Sequence, residues 1–160
     1  AQKMGLAENS AATIGRIARL DATFVSGRLP GFLIGWCGGL SRITDPTERR
    51  DAFEGLVLAI RAAPESVVGA RDRVESVTAV LNAIISWHLP RNEEECAQAN
   101  AETLYGPYTL NPFQNTLASL GTELKKIIVD MSVSLGSDWK KVLNRCPVKV
   151  RKLLQNHYNL

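Results

Sequence analysis

Residues 8–64 carry helix signals and apolar side chains at helical intervals, in the order of two successive helix pairs. Ala7, Ala11, Ile14 and Ala18 recur at intervals of four, three and four, which places them on one helix face. These side chains are small, so a neighbouring helix can approach closely. We therefore expect a first helix over about residues 2–19, packed tightly against another helix.

The second helix should begin near Asp21, which can serve as its N-cap. Pro30 falls inside this segment, where it removes a backbone donor and clashes with the preceding turn. We expect a kink there, or a short break between Gly27 and Gly31. The apolar stripe of the segment consists of Phe24, Phe32, Trp36 and Leu40, with Cys37 beside it.

The second pair starts with a clear signal. Asp45 can cap a helix, Pro46 suits the first helical position, and Glu48 stands where a capping-box acid belongs. This helix should stop before Pro64, because the residue preceding a proline is disfavoured in helical geometry. Its apolar face consists of Phe53, Leu56, Val57 and Ile60, and the face of the following helix of Val74, Val77, Leu81, Ile84 and His88.

Residues 89–110 lack the apolar residues at helical intervals that precede them. They contain four glutamates, two prolines and few aliphatic residues, which predicts an exposed acidic loop. Asn111-Pro112 then starts a long helix that should end at Gly136-Ser137, and Pro147 should restart the last one. No segment of any length shows the two-residue alternation of a strand. The sequence predicts an all-α superhelix, or solenoid, of six helical segments in three antiparallel pairs. The pairs cover about residues 1–43, 44–88 and 111–160.

The bulk composition is that of an ordinary globular protein, with 45% hydrophobic and 22% charged residues and a net charge of +3. The apolar runs stop well short of the ~20 residues of a membrane span, and we see no signal peptide. The chain starts without methionine, so we expect a fragment or a processed chain. From Ser137 to Leu160 there are six Lys or Arg residues against Asp138 alone. We interpret this end as a solvated helix face, because nucleic-acid binding would need aromatic or groove-entering partners.

No arrangement of residues indicates catalysis, a metal site or a cofactor. Ser86 and His88 are two positions apart and project in different directions on a helix. Cys37 has no neighbouring cation and is interpreted as a buried small hydrophobe. The wide spacing of Cys37, Cys96 and Cys146 favours free thiols over a disulfide framework. Gly35, Gly38 and Gly39 lack the context of a phosphate loop and suggest close helix packing or flexibility.

One further set of residues is informative as a pattern along the whole chain: Glu8-Asn9, Trp36-Cys37, Ala52-Phe53, Ile60, Pro64, Ser86-Trp87, Pro90, Asp138-Trp139, Pro147, Leu153 and Tyr158. In these residues the chain resembles the C-terminal HEAT repeats of transportin-like nuclear import receptors, which belong to the importin-beta (karyopherin) family. The resemblance implies the last three HEAT repeats of such a receptor, with Leu160 as the native terminus.

The resemblance also implies a function and a site. Receptors of this class bind cargo proteins through an extended basic signal that ends in Pro-Tyr, and Ran-GTP on upstream repeats releases the cargo. Asn9 matches an asparagine that would hydrogen-bond the cargo backbone, and Ala12 stands where the family has a large aliphatic cargo contact. Nucleoporins are further expected partners, with shuttling between cytoplasm and nucleus and no direct contact with nucleic acid or membrane.

Two other functions compete with this one. A generic HEAT scaffold would bind proteins without preferring Pro-Tyr signals, and a small helical enzyme would need a pocket with convergent polar groups. The 91–110 segment is longer than its counterpart in the family and contains Pro107-Tyr108. No basic residue lies shortly upstream, at 102–106, so we interpret it as a lineage-specific surface loop rather than a signal mimic.

Overall fold

All regular structure in the described part of the chain is helical. The computed structural model describes residues 5–88 and 115–160. Its helices are α1 (Leu6–Leu20), α2 (Ala22–Ser26), α3 (Leu29–Leu40), α4 (Pro46–Ala62), α5 (Glu65–Val68), α6 (Arg73–His88), α7 (Asn115–Leu135), α8 (Trp139–Arg145) and α9 (Val148–Tyr158). A 3-10 turn, Gly136–Asp138, joins α7 to α8. The predicted all-α class is confirmed.

The predicted helix starts are confirmed where a side chain caps the backbone. The Asp21 carboxylate accepts a hydrogen bond from the Phe24 amide at 2.9 Å, and Asp45 accepts one from the Glu48 amide at 2.9 Å. Pro46 is the first residue of α4, and the helix ends at Ala62, before Pro64. The capping-box role expected for Glu48 is replaced by a tertiary one, because its carboxylate accepts from Arg16 of α1 at 2.6 Å.

Six predicted segments become nine helices in the described residues, because the second segment divides, Glu65–Val68 forms a short helix of its own, and Pro147 separates α8 from α9. The second segment divides between Ser26 and Leu29, so Pro30 lies in the first turn of α3, where its missing N–H costs little. The first helix begins at Leu6 rather than at residue 2, since Gly5 has extended backbone with ψ 169°. Glycine is a poor helix residue and readily becomes the boundary.

The carboxyl-terminal signals are confirmed as well. Gly136 has φ +52°, a left-handed conformation that favours glycine and that ends α7. Pro147 precedes the first residue of α9. The acidic 89–110 segment with Pro107-Tyr108 and Cys96, and the helix start at Asn111-Pro112, lie outside the described residues.

The helices form two layers. One layer is the succession α1, α4 and α7, and the other is α3, α6 and α8, with each helix packed against the next in its layer. The helix α1 also packs against α3, which closes the first pair across the layers. This is the order expected of a stack of helix pairs, in which each pair contacts only its neighbours. The proposed repeat boundaries within the stack remain a prediction.

The helices α1 and α4 approach each other very closely where they cross. A Cβ on Gly15 would overlap the Cα of Ala52, and a Cβ on Gly55 would lie 2.6 Å from the Cα of Gly15. The two backbones therefore touch directly. Such contact is possible only without side chains at these positions.

Polar groups connect the two layers through the core. The Trp36 indole of α3 donates to the Ala11 carbonyl of α1 at 3.0 Å. Arg49 of α4 is buried and donates to the Ser86 and Trp87 carbonyls at 2.7 and 2.8 Å. A cation there satisfies carbonyls that the end of α6 leaves without helical partners. The Phe53 and Trp87 rings, with centroids 5.0 Å apart, pack beside it.

The glycine crossing predicts opposite effects for the same substitution at two helical glycines. Gly15→Ala should lower the free energy of unfolding by roughly 1–3 kcal/mol, because the new methyl group overlaps Ala52. Gly35→Ala should raise it by up to about 1 kcal/mol, because its Cβ meets nothing within 4 Å and alanine favours the helix. Urea unfolding midpoints of both variants check this; shifts of the same sign would contradict it.

The buried guanidinium predicts a contrast between two adjacent arginines. Arg49→Met should cost about 1–3 kcal/mol, because two buried carbonyls lose their donor. Arg50→Met should cost less than about 1 kcal/mol, since the one acid that Arg50 pairs with among the described residues is its neighbour Asp51, in a partly exposed ion pair. Thermal unfolding followed by circular dichroism distinguishes the two. Equal losses would show that the α6 carbonyls do not depend on Arg49.

Candidate protein-interaction surface on the first helix pair

The contacts of α1 define its sides. Gly15 faces α4, and Arg19 forms ion pairs with Asp51 and Glu54 of α4 at 3.0 and 3.1 Å. Ala7 and Ala11 face α3, because a Cβ on Gly39 would lie 2.7 Å from the Ala7 carbonyl and 2.8 Å from the Ala11 methyl. With 3.6 residues per turn, the remaining positions of the helix face away from these partners.

Asn9 lies on the side of α1 opposite α3 and is exposed. Its backbone N–H donates to the Gly5 carbonyl at 3.0 Å, and its carbonyl accepts from the Thr13 hydroxyl at 2.8 Å. Thr13 is exposed on the same side, one turn later. The backbone of Asn9 is therefore fixed by the first turns of the helix, and its side chain projects from the α1–α4–α7 layer.

Ala12, in contrast to Asn9, does not lie on the exposed side of α1. It is 2% exposed and belongs to the core, on the side of α1 that carries Gly15 and Arg19. The structure does not bring Asn9 and Ala12 together on one surface, although three residues separate them. Burial leaves Ala12 only an indirect part in any cargo site, through the close approach of α4 that a small side chain permits. The cargo assignments of both residues remain predictions.

The first helix pair also presents an apolar surface, which we call the leading face: Leu6, Ile17, Leu20 and Phe24. Leu6 and Leu20 are 85% and 89% exposed, and Ile17 lies on the side of α1 opposite α4. The guanidinium of Arg28 lies 4.0 Å above the centre of the Phe24 ring. Leu6, Ile17 and Leu20 were not predicted from the sequence, although their spacing of eleven and three residues places them on one side of α1. Large apolar side chains that stay exposed along one side of a helix can take part in a contact with another protein segment.

Ion pairs join neighbouring helices of the α1–α4–α7 layer. Arg16 binds Glu48, Arg19 binds Asp51 and Glu54, and Arg61 of α4 binds Glu123 of α7. These side chains are partly exposed, so each pair contributes little to stability. They place partly exposed carboxylates at the contacts between the helices of this layer. The sequence analysis did not single them out, because each carboxylate acquires its partner from another helix.

Of the groups considered for catalysis, Cys37 is packed in the core and Ser86 forms a hydrogen bond within its own helix. Cys37 is buried, and this burial raises the pKa of its thiol to about 12, so the thiol stays protonated at neutral pH. The Ser86 hydroxyl donates to the Ala83 carbonyl at 2.5 Å, and the side chain of His88 lies outside the described residues. Within residues 5–88 and 115–160 no group of three potential metal ligands occurs, and no helix is long and apolar enough to span a membrane.

Comparison with known proteins finds transportins. The chain is 35% identical to Transportin-1 of Oryza sativa subsp. japonica over 88 residues, 55% of this chain and 9% of that protein. It is 24% identical to a transportin of Dictyostelium discoideum over 156 residues, 98% of this chain and 13% of that protein. Transportin-1 of Homo sapiens is 31% identical over 88 residues, 55% of this chain and 9% of that protein.

These similarities establish weak to moderate homology to transportins over part of the chain. The chain spans about a tenth of the length of these relatives. No protein-family model matches the sequence. No solved structure matches it either.

The burial of Ala12 predicts that restoring a large aliphatic side chain there disturbs the fold. Ala12→Leu should lower the free energy of unfolding by roughly 1–3 kcal/mol, because the larger side chain must enter a filled core. Thr13→Leu adds a similar volume on the exposed side and should change it by less than about 0.5 kcal/mol. Urea denaturation measures both. If Ala12→Leu left stability unchanged, the α4 side of α1 would have room for a larger residue.

Proposed function

We propose that this chain is the C-terminal part of a transportin-like nuclear import receptor and contributes to binding cargo proteins with basic Pro-Tyr signals. The observation that carries the proposal is the similarity to the Dictyostelium transportin, which runs along nearly the whole chain. The layered stack of helix pairs supports it, because a stack of this kind offers a long continuous surface to an extended ligand. The HEAT-type assignment of the pairs belongs to the same proposal.

Asn9 supports a peptide-binding role by its chemistry and position. A carboxamide donates and accepts hydrogen bonds at once, which matches the unpaired N–H and C=O groups of an extended backbone. The residue is exposed and lies on the side of α1 opposite α3. A cargo backbone passing over the first turns of α1 could therefore pair with this amide.

The carboxylates of Asp51 and Glu54 would serve the basic part of such a signal. Both bind Arg19, whose side chain is 40% exposed, so a cationic cargo side chain can compete for them at the surface. The exchange conserves charge, because one cation replaces another. Its free energy should be small, as for other exposed ion pairs. This part of the site would then contribute charge selectivity more than affinity.

The leading face supports the placement within a longer receptor. Its leucines lie where α1 would contact a preceding helix pair if the stack continued in the same order. The relatives extend far beyond the matched region. The wider functions follow from this placement: release of cargo by Ran-GTP on upstream repeats, contact with nucleoporins, and shuttling between cytoplasm and nucleus.

A generic HEAT scaffold remains the second candidate. The exposed leading face favours it equally, because any stack of helix pairs would present such a face to a neighbour. The two functions differ in ligand preference. Only the import receptor should distinguish a basic peptide ending in Pro-Tyr from the same peptide ending in Ala-Ala.

The test measures fluorescence anisotropy of a labelled basic Pro-Tyr peptide with the unmodified chain and with Asn9→Ala. Loss of one hydrogen bond, about 1 kcal/mol, should weaken binding roughly fivefold. Asn82→Ala, on the exposed surface of α6 in the other layer, should leave the affinity unchanged. The Ala-Ala peptide should bind more weakly to all three proteins.

Each other result has a definite meaning. Equal affinity for the Pro-Tyr and Ala-Ala peptides would favour the generic scaffold. An Asn9→Ala affinity equal to that of the unmodified chain would remove Asn9 from the cargo site. Absence of binding by the unmodified chain would argue against a cargo site on this surface.

A further inference from the structure

The charges of this chain are separated between its two ends. Residues 1–138 contain thirteen Lys and Arg residues and all sixteen acids, for a net charge of −3. Residues 139–160 contain six Lys and Arg residues and no acid, for a net charge of +6. The net charge of +3 for the whole chain is therefore the sum of a negative segment and a strongly positive one.

The six cations, which we call the basic end, lie on α8 and α9. They are Lys140, Lys141, Arg145, Lys149, Arg151 and Lys152, and all are exposed. Lys141 and Arg145 are one turn apart on α8, and Lys149 and Lys152 are one turn apart on α9. Val142, Cys146, Leu153 and Leu154 are buried beneath them, so the core fixes the helices that carry the charges.

The cations of the basic end have few acidic partners among the described residues. Arg16, Arg19, Arg61 and Arg73 each bind a carboxylate on another element. In the basic end only Lys141 has an acid, Asp138, at 2.7 Å, and that acid also binds Arg73. The hydrogen bond from Lys141, and after it the one from Arg73, holds the pKa of the Asp138 carboxyl below its ordinary value. Asp138 is therefore ionised and already bound to two cations. The other five cations pair with no acid among the described residues.

We propose that the basic end binds an acidic, Asp- and Glu-rich segment of a partner protein. Five exposed cations on a fixed scaffold repel one another, and an anionic ligand relieves that repulsion and gains attraction. Lysine and arginine side chains on two helices can reach several carboxylates of an extended segment at once. Exposed Asn144 and Gln155 add neutral hydrogen-bonding groups among them.

The composition of this surface favours protein over the other common polyanions. Single-stranded nucleic acid is bound with aromatic side chains on which bases stack, and Trp139 in this region is buried. Anionic membranes are bound by helices that insert an apolar face, whereas among the described residues of α8 and α9 only Val148 is a strongly exposed large hydrophobic. Among the described side chains of α8 and α9, neither binding mode finds its second component. This inference is independent of the import function proposed above.

The test uses the full chain and a labelled oligoglutamate peptide, with binding measured by fluorescence anisotropy at low ionic strength. We compare Lys140→Glu/Lys149→Glu with Arg42→Glu/Arg71→Glu, which changes the net charge equally at exposed arginines in the connections between helices. Both lysines lie in the first turn of their helices, where glutamate suits the helix dipole, so the variant should fold. Circular dichroism verifies this.

The lysine variant should bind the peptide at least about tenfold more weakly than the unmodified chain, and the arginine variant within about threefold. A tenfold increase in ionic strength should weaken binding of the unmodified chain, because screening shortens the range of these charges. Equal losses in the two variants, or no binding by the unmodified chain, would overturn the proposal. Tighter binding of a short DNA duplex or of phosphatidylserine vesicles, abolished by the lysine variant, would overturn it in favour of that ligand.

Discussion

The direct backbone contact between α1 and α4 determines how the first two helix pairs fit together. Gly15 and Gly55 bring the helices closer than side chains would allow, and the distance between the pairs follows from that contact. It also orients α1. With Gly15 facing α4 and Ala11 facing α3, the opposite sides of the helix must carry Asn9 and the exposed leucines. The candidate surface is thus a consequence of where two glycines lie.

The sequence predicted what is decided locally. Asp21, Asp45 and Gly136 act on the backbone within a few residues, so their roles can be recognised without knowing the partner helices. The apolar face of α1 was predicted less well. Ala7 is exposed although it was placed on the buried face, while Ala12 and Gly15 are buried. Burial of small residues depends on which neighbour approaches, and the periodicity of apolar side chains does not contain that information.

The candidate site shows the same division between local and tertiary information. Resemblance to a family could suggest Asn9 and Ala12 because both occupy recognisable positions in a motif. It could not show that three residues along α1 lead from an exposed side to a buried one in this chain. The ion pairs of Arg16 and Arg19 lay beyond prediction for the same reason, since Glu48, Asp51 and Glu54 reach them only after the helices have packed. Glu48 was even assigned a local role that the tertiary contact replaced.

The two end pairs of the stack have surfaces of different chemistry, and polarity alone does not account for that difference. A polar outer face on α8 and α9 keeps a helix pair soluble, but charges of mixed sign would do so with less repulsion. The first pair combines the exposed leucines of the leading face with arginines that are neutralised by neighbouring acids. The last pair combines a well-buried core with cations of one sign that mostly lack acids. Six cations without an acid in 22 residues therefore require an explanation beyond solubility. Binding of an anionic ligand supplies one.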